Sequence, residues 1–251
     1  MLGDEELLRY NRQLLMHDFD VAGQEALRRA RVLVLGLGGL GCPAALYLAA
    51  AGVGELLLAD GDTVELGNLQ RQVAHAVSDL GRNKAASVAD SIAGINPHVR
   101  TRVVAERLDE AALHALVLQA DLAVDASDNY PSRFALNRAC IAAGIPLVSA
   151  AAVRSEGQLA VFDPHRGGAC YRCLYPQEGA ATALSCSQSG VLAPVVGVLG
   201  TWQAMEALKV LAGYGDTLHD SLLVLDLKHA DLRKLALAPR ADCPDCASLR
   251  R

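Results

Sequence analysis

The sequence predicts an α/β fold: a doubly wound, mostly parallel sheet extended by antiparallel strands, with a C-terminal staple made by paired cysteines. Three observations predict it. Short apolar runs alternate with helix-period segments through the first 150 residues, as a series of βαβ units requires. A glycine-rich turn separates the first run from the first apolar helix, and two C-x-x-C pairs stand far apart at 170–173 and 243–246.

The elements follow in order. Residues 4–30 mix acidic, basic and apolar positions at helical spacing, with Leu7, Leu8, Leu14 and Leu15 on the apolar side. They read as one or two short helices in an N-terminal arm, residues 1–30, that carries Arg12. Residues 31–35 (RVLVL) form the first strand, GLGGLG follows, and 43–51 is an apolar helix stopped by Gly52. The second strand, 56–59, ends at Asp60. Two more strands are expected at 99–105 and 122–125, with helical patterns at 84–93 and 109–119 between them. Beyond 146–148, the segments 157–162 and 222–227 read as strands and 195–211 as a helix. The glycine signature does not recur, so these elements extend the first sheet and the expectation is one domain over 1–251.

Composition narrows the function classes. The 251 residues carry 23 Lys and Arg against 28 Asp and Glu, a net charge of −5, which argues against a basic nucleic-acid binder. Aromatics are only 4% within a 52% hydrophobic chain, so the core must be mostly Ala, Leu and Val, suited to helices on a buried parallel sheet. The N-terminus is acidic at Asp4, Glu5 and Glu6, unlike a signal peptide, and the most apolar window, 190–202, is too short for a membrane span. A cytoplasmic chain with no membrane role is expected.

Gly36, Gly38 and Gly41 fit G-x-G-x-x-G between a strand and a helix, where glycines let backbone N–H groups and a helix N-terminus approach phosphate oxygens. Asp60 lies 19 residues beyond Gly41, at the end of the second strand, placed to accept from ribose hydroxyls. A tight strand–helix crossing without ligand is the alternative. Residues 31–150 are therefore the nucleotide-binding half. Asn68-Leu69-Gln70-Arg71-Gln72 and Arg82-Asn83-Lys84 add more positive charge than a dinucleotide needs, and Arg71 and Lys84 suit a triphosphate. Each could instead be a solvated surface cation. Asp128, in Asp125-Ala126-Ser127-Asp128-Asn129, is placed either to hold Mg²⁺ with phosphates or to cap the next helix.

Seven cysteines in a chain without an export signal argue against a disulfide framework. Cys170, Cys173, Cys243 and Cys246 can close a four-thiolate Zn²⁺ site that does no chemistry and ties the tail to the body; a thiol redox motif is the alternative. Cys42 and Cys140 sit in apolar helical patterns and read as core residues. Cys186, in a polar segment, is either an accessible nucleophile or an incidental thiol.

The motifs RYNRQ (9–13), GLGGLGCP (36–43), NLQRQ (68–72), ASDN (126–129), RSEGQ (154–158), CYRCL (170–174) and CPDC (243–246) carry a family likeness over residues 4–247. The chain resembles the E1-like adenylyltransferases that activate sulfur-carrier proteins, with the molybdopterin-synthase branch nearest and the thiamine-pathway branch next. That resemblance implies a homodimer that uses MgATP to adenylate the C-terminal Gly-Gly carboxylate of a small ubiquitin-like sulfur carrier. It implies phosphates at Gly39 and the glycine turn, ribose at Asp60, triphosphate contacts from Asn68, Arg71 and Lys84, and Mg²⁺ at Asp128. Asp62, Gly67, Leu69, Gln70, Gln72 and Asn129 belong to the same implied nucleotide site, and the paired cysteines match a structural zinc.

Arg12 is implied to reach the neighbouring subunit's ATP site, and residues 151–251 become the carrier-binding half. The chain ends without a rhodanese domain, so a separate sulfur donor, such as a cysteine desulfurase or a rhodanese, is expected. The rival class is an NAD(P)-dependent oxidoreductase, which shares the glycine motif and Asp60 but leaves Arg71, Lys84 and the cysteines without a role.

Overall fold

The structure is a computed structural model that describes residues 2–176 and 189–250; Cys186 lies outside the described residues. Eight strands form one sheet: β1 (Arg31–Leu35), β2 (Glu55–Ala59), β3 (Arg100–Val104), β4 (Leu122–Asp125), β5 (Leu147–Val153), β6 (Glu156–Phe162), β7 (Ser221–Asp226) and β8 (Asp231–Ala236). Their spatial order is β3-β2-β1-β4-β5-β6-β7-β8. Strands β1 to β5 pair in parallel and the last three pair antiparallel, as expected from the sequence. Strand β8 went unread in the sequence because DLRKLA is an exposed edge strand without an apolar face.

Side chains alternate between two cores. Val32, Val34, Leu56, Leu58, Leu122 and Val124 face one layer, built from α4 (Gly41–Ala50), α5 (Lys84–Ile95) and α9 (Ala193–Ala212). Leu33, Leu57 and Ala123 face the other, built from α6 (Glu110–Val117), α7 (Tyr130–Ala143), α8 (Tyr171–Leu174) and the cysteine tail. Both faces are covered, which explains the nearly unbroken apolar strands. The window read at 190–202 runs into α9, a 20-residue helix that by length and composition alone could cross a membrane. Here it packs on α4 and on β5 and β6.

The arm has three helices where one or two were expected: α1 (Asp4–Arg9), α2 (Asn11–Leu14) and α3 (Asp20–Arg29). The first break falls at Tyr10, a buried residue whose hydroxyl accepts from Asn96 Nδ2 at 2.8 Å. The arm is tied to the far end of α4, where Gln13 Nε2 donates to the Ala51 carbonyl at 3.0 Å.

Candidate active site

Parallel register brings the C-terminal ends of β1, β2 and β4 to one edge, pairing Leu35 with Ala59 and with Asp125. Strand β1 connects outward to β2 on one side and, through the rest of the chain, to β4 on the other. The crevice above this reversal is where doubly wound sheets take ligands. A cleft of about 1250 Å³ opens there, lined by Gly36, Gly38, Gly39, Asp60, Asp62, Asn68, Arg71, Gln72, Lys84, Asp128 and Asn129 among others.

The glycine turn is required sterically. Gly36 has φ +87°, and a Cβ on it would stand 2.8 Å from the Ala126 carbonyl oxygen. A Cβ on Gly41 would stand 1.9 Å from the Gly36 oxygen, so Gly41 closes the turn from behind and does not line the cleft. Asp60 holds this turn, accepting from Leu37 N at 2.7 Å and from Asp62 N at 2.9 Å.

Asn83 caps α5, accepting from Ala86 N, and its amide donates to the carbonyls of Asp60 at 2.8 Å and Asp62 at 3.1 Å. This fixes Lys84 at the first position of α5, a buried cation whose Nζ lies 3.3 Å from Asp62 Oδ2. Arg107, which the sequence did not single out, approaches Asp62 Oδ1 at 3.0 Å from the loop after β3. Burial works to raise the Asp62 carboxyl, but Lys84 and Arg107 outweigh it and hold it below its usual range. Arg71 reaches back to the Gly67 carbonyl at 3.0 Å, whereas Arg82 is committed to Asp79 and Asp90. Gly67, Leu69 and Gln70 do not line the cleft; they form the turn that carries Asn68, Arg71 and Gln72 into it. Gln72 is 3% exposed, and its Oε1 has no partner among the described residues. A buried acceptor left open in a cleft wall is suited to a ligand donor.

On the opposite wall, Asn129 and not Asp128 is the N-cap of α7, accepting from Ser132 N at 2.9 Å. Asp128 is exposed, with only a 3.5 Å contact from Asn129 Nδ2, so its carboxylate is available to a cation. Beneath it, buried Asp125 accepts from Ser127 and Ser149 hydroxyls, each at 2.7 Å, and buried Arg133 donates to the Ser127 carbonyl at 2.6 Å. Arg133 also lines the cleft and was missed in the sequence, where a helical arginine carries no signal.

Arg12 is not in this cleft. It is exposed on α2, while the arm is anchored at Ala51, the end of α4 remote from the glycine turn.

The four paired cysteines do meet. All four Sγ atoms lie within 4.8 Å of one another, with 3.8 Å for Cys170 to Cys173, 3.6 Å for Cys170 to Cys243 and 3.5 Å for Cys173 to Cys246. A tetrahedron with Zn–S bonds of about 2.3 Å requires sulfurs about 3.8 Å apart, so this donor set fits Zn²⁺ and is too wide for disulfides. Asn137 on α7, 1% exposed, joins the two halves: its Oδ1 accepts from Tyr171 N at 2.8 Å and its Nδ2 donates to Asp245 at 3.0 Å. Cys42 and Cys140 are buried, as expected of core residues.

Known proteins resemble this chain in sequence and fold. Over 245 residues the chain is 48% identical to the molybdopterin-synthase adenylyltransferase of Escherichia coli (strain K12), covering 98% of each. It is 43% identical to the sulfur carrier protein ThiS adenylyltransferase of the same strain, covering 98% of this chain and 97% of that one. The crystal structure of E. coli MccB with succinimide superposes with a TM-score of 0.84 at 25% identity, over 95% of this chain and 74% of that one. The ThiF family pattern matches residues 10–245, and with these relatives it shows that the chain belongs to the ThiF family.

Proposed function

We propose that this chain is an adenylyltransferase that uses ATP to activate the C-terminal Gly-Gly carboxylate of a small ubiquitin-like sulfur carrier, the molybdopterin-synthase small subunit. The carrying observation is the single cleft in which the glycine turn, Asp60, Arg71, Lys84 and Asp128 converge. These are a phosphate cradle, a ribose acceptor, two cations for a triphosphate and a free carboxylate.

A C-terminal carboxylate is already ionised at pH 7, so the reaction needs no general base. Its oxygen attacks the α-phosphorus, the bond to the bridging oxygen breaks, and pyrophosphate leaves with the negative charge. The residues therefore act by positioning and charge neutralisation. Asp60 orients the ribose while holding the glycine turn. Lys84, released from Asp62, meets the phosphates, and Arg71 offsets charge on the departing pyrophosphate with Asn68 beside it. Gln72 offers its open Oε1 to a donor on the bound substrate. Asp128 would hold Mg²⁺, which supplies charge neutralisation at the phosphates when bound. The cysteine cluster would hold Zn²⁺ as a structural tie.

The chain works as one unit: residues 31–150 bind nucleotide, and residues 151–251 receive the carrier. In a homodimer, Arg12 serves the partner's cleft, since its own lies at the opposite edge of the sheet. A separate donor, a cysteine desulfurase or a rhodanese, supplies sulfur to the adenylated carrier. The free cysteines suit the reducing cytoplasm. The ThiS-specific relative, at 43% identity, favours the thiamine-pathway carrier as the second reading. An oxidoreductase would leave the cations around Asp62 without work.

Mass spectrometry of candidate carriers incubated with the enzyme and MgATP tests the reading. The expected result is a carrier that gains one AMP moiety at its C-terminus. Unmodified molybdopterin-synthase and thiamine-pathway carriers, with active enzyme confirmed to bind ATP, would reject it.

A further inference from the structure

On the core side of the glycine turn lies a polar cluster that does not itself line the cleft. Cys42 of α4, His75 of the loop before α5, and Ser87 of α5 are 0%, 8% and 1% exposed. His75 Nδ1 is 2.8 Å from Ser87 Oγ, and its Nε2 is 3.2 Å from the Leu37 carbonyl and 3.6 Å from Cys42 Sγ. The Cys42 thiol lies 3.2 Å from the same carbonyl. Leu37 is thus held at both ends, its N–H by Asp60 and its carbonyl by His75 and Cys42, with its side chain fully buried. Its neighbours Gly36 and Gly38 line the cleft.

The hydrogen placement follows from the partners. A carbonyl only accepts, so Nε2 carries the proton and donates to Leu37, while Nδ1 pairs with the Ser87 hydroxyl, which also bonds the Asp79 carboxylate. Burial holds the His75 imidazole below its ordinary range, with Lys84 acting in the same direction and the Leu37 carbonyl, Asp79 and Asp60 opposing. Burial likewise pushes the Cys42 thiol up to about 12, so it remains a donor and not a nucleophile.

We propose that His75 is a positioning residue for nucleotide binding, fixing the Leu37 carbonyl and with it the set of the glycine turn against the phosphates. This rests on the adenylation reading. A turn misplaced by about 1 Å is enough to lose much of the rate without any lost contact to substrate.

The test compares His75→Gln, whose amide can replace the Nε2 donor, with His75→Asn, whose shorter amide cannot. Three quantities are read: the Kd of a non-hydrolysable ATP analogue, amide hydrogen exchange across residues 36–41, and separate KM values for ATP and carrier. The expected result for His75→Asn is an analogue Kd and an ATP KM raised about tenfold, as for one lost buried hydrogen bond, with faster exchange in the turn and an unchanged carrier KM. His75→Gln stays within about threefold of the parent. Equal behaviour of the two variants, an equal rise in both KM values, or an unchanged turn would overturn the proposal, as would a parent chain that binds no analogue. If His75→Asn does not fold, Ser87→Ala removes the partner of Nδ1 and must raise the Kd in the same direction; no rise overturns it. A parent that binds the analogue but adenylates no carrier defeats the functional reading while the His75 comparison still stands.

Discussion

The cleft and the cysteine cluster are both assembled from distant segments, but they are held in opposite ways. The cluster is closed: four buried thiols face one another, and Asn137 ties Tyr171 to Asp245 across the two pairs. The cleft is open at its working ends: Asp128 is exposed, Arg71 rests on a backbone carbonyl, and Lys84 is paired with a half-exposed carboxylate. Its floor, from Asp60 through Leu37 to His75, is locked. The difference separates stability from chemistry: the groups that must meet a changing charge are left exchangeable, while the staple has no open position to do chemistry with.

The largest expected effect breaks the open side alone. Asp128→Ala and Arg71→Ala each lower adenylation at least about a hundredfold, as for loss of charge stabilisation in a desolvated site. Their Tm should stay near the parent's, because neither side chain holds the fold. Near-normal adenylation by either folded variant removes that residue from the mechanism.

The next breaks the closed side alone. Cys243→Ser, or removal of zinc by a chelator, should lower Tm by about 10 °C or more, since structural zinc contributes several kcal/mol and each shifts Tm by about 2–4 °C at this chain length. Metal analysis should return one Zn²⁺ per chain. A purified chain free of zinc with an unchanged melting curve would contradict the staple.

Between these lies Arg12, which belongs to neither region of its own chain. If it acts across a twofold dimer, mixing Arg12→Ala and Asp128→Ala chains at 1:1 restores about a quarter of the sites, because half the dimers are mixed and half of their sites carry neither lesion. Verified subunit exchange with no recovery rejects the shared site.

What could be read in the sequence was what is local. G-x-G-x-x-G, Asp60 at a strand end and the paired cysteines declare themselves by spacing, and the parallel half follows from alternation. Arg107, Arg133, His75 and Asn137 do not, because their roles arise only where separate segments meet. Asp128 and Asn129 show the limit at single-residue scale: both are capping types, and only the helix start assigns the cap to Asn129. The arm's breaks at Tyr10 and before Phe19 coincide with contacts to Asn96, just after α5, and Tyr214, just after α9, which helical periodicity does not report.

The smallest expected effect sharpens the locked floor. His75 is held below its ordinary value of 6.5 in the fold, so the unfolded chain binds the proton first as pH falls. Its contribution is complete above about pH 6.5 and is lost as pH drops below that toward the lower native value. Urea midpoints measured from pH 7.5 to 5 should fall less steeply for His75→Gln than for the parent; identical slopes would show that His75 is not buried as a neutral group.

The mechanism turns on the cleft adenylating a carboxylate. Exchange of labelled pyrophosphate into ATP measures it most directly, with the intact carrier set against the same carrier amidated at its C-terminus. The expected exchange requires the free carboxylate and collapses in Arg71→Ala. Exchange that proceeds equally with the amidated carrier, or its absence with every carrier while a nicotinamide cofactor supports turnover, would contradict it.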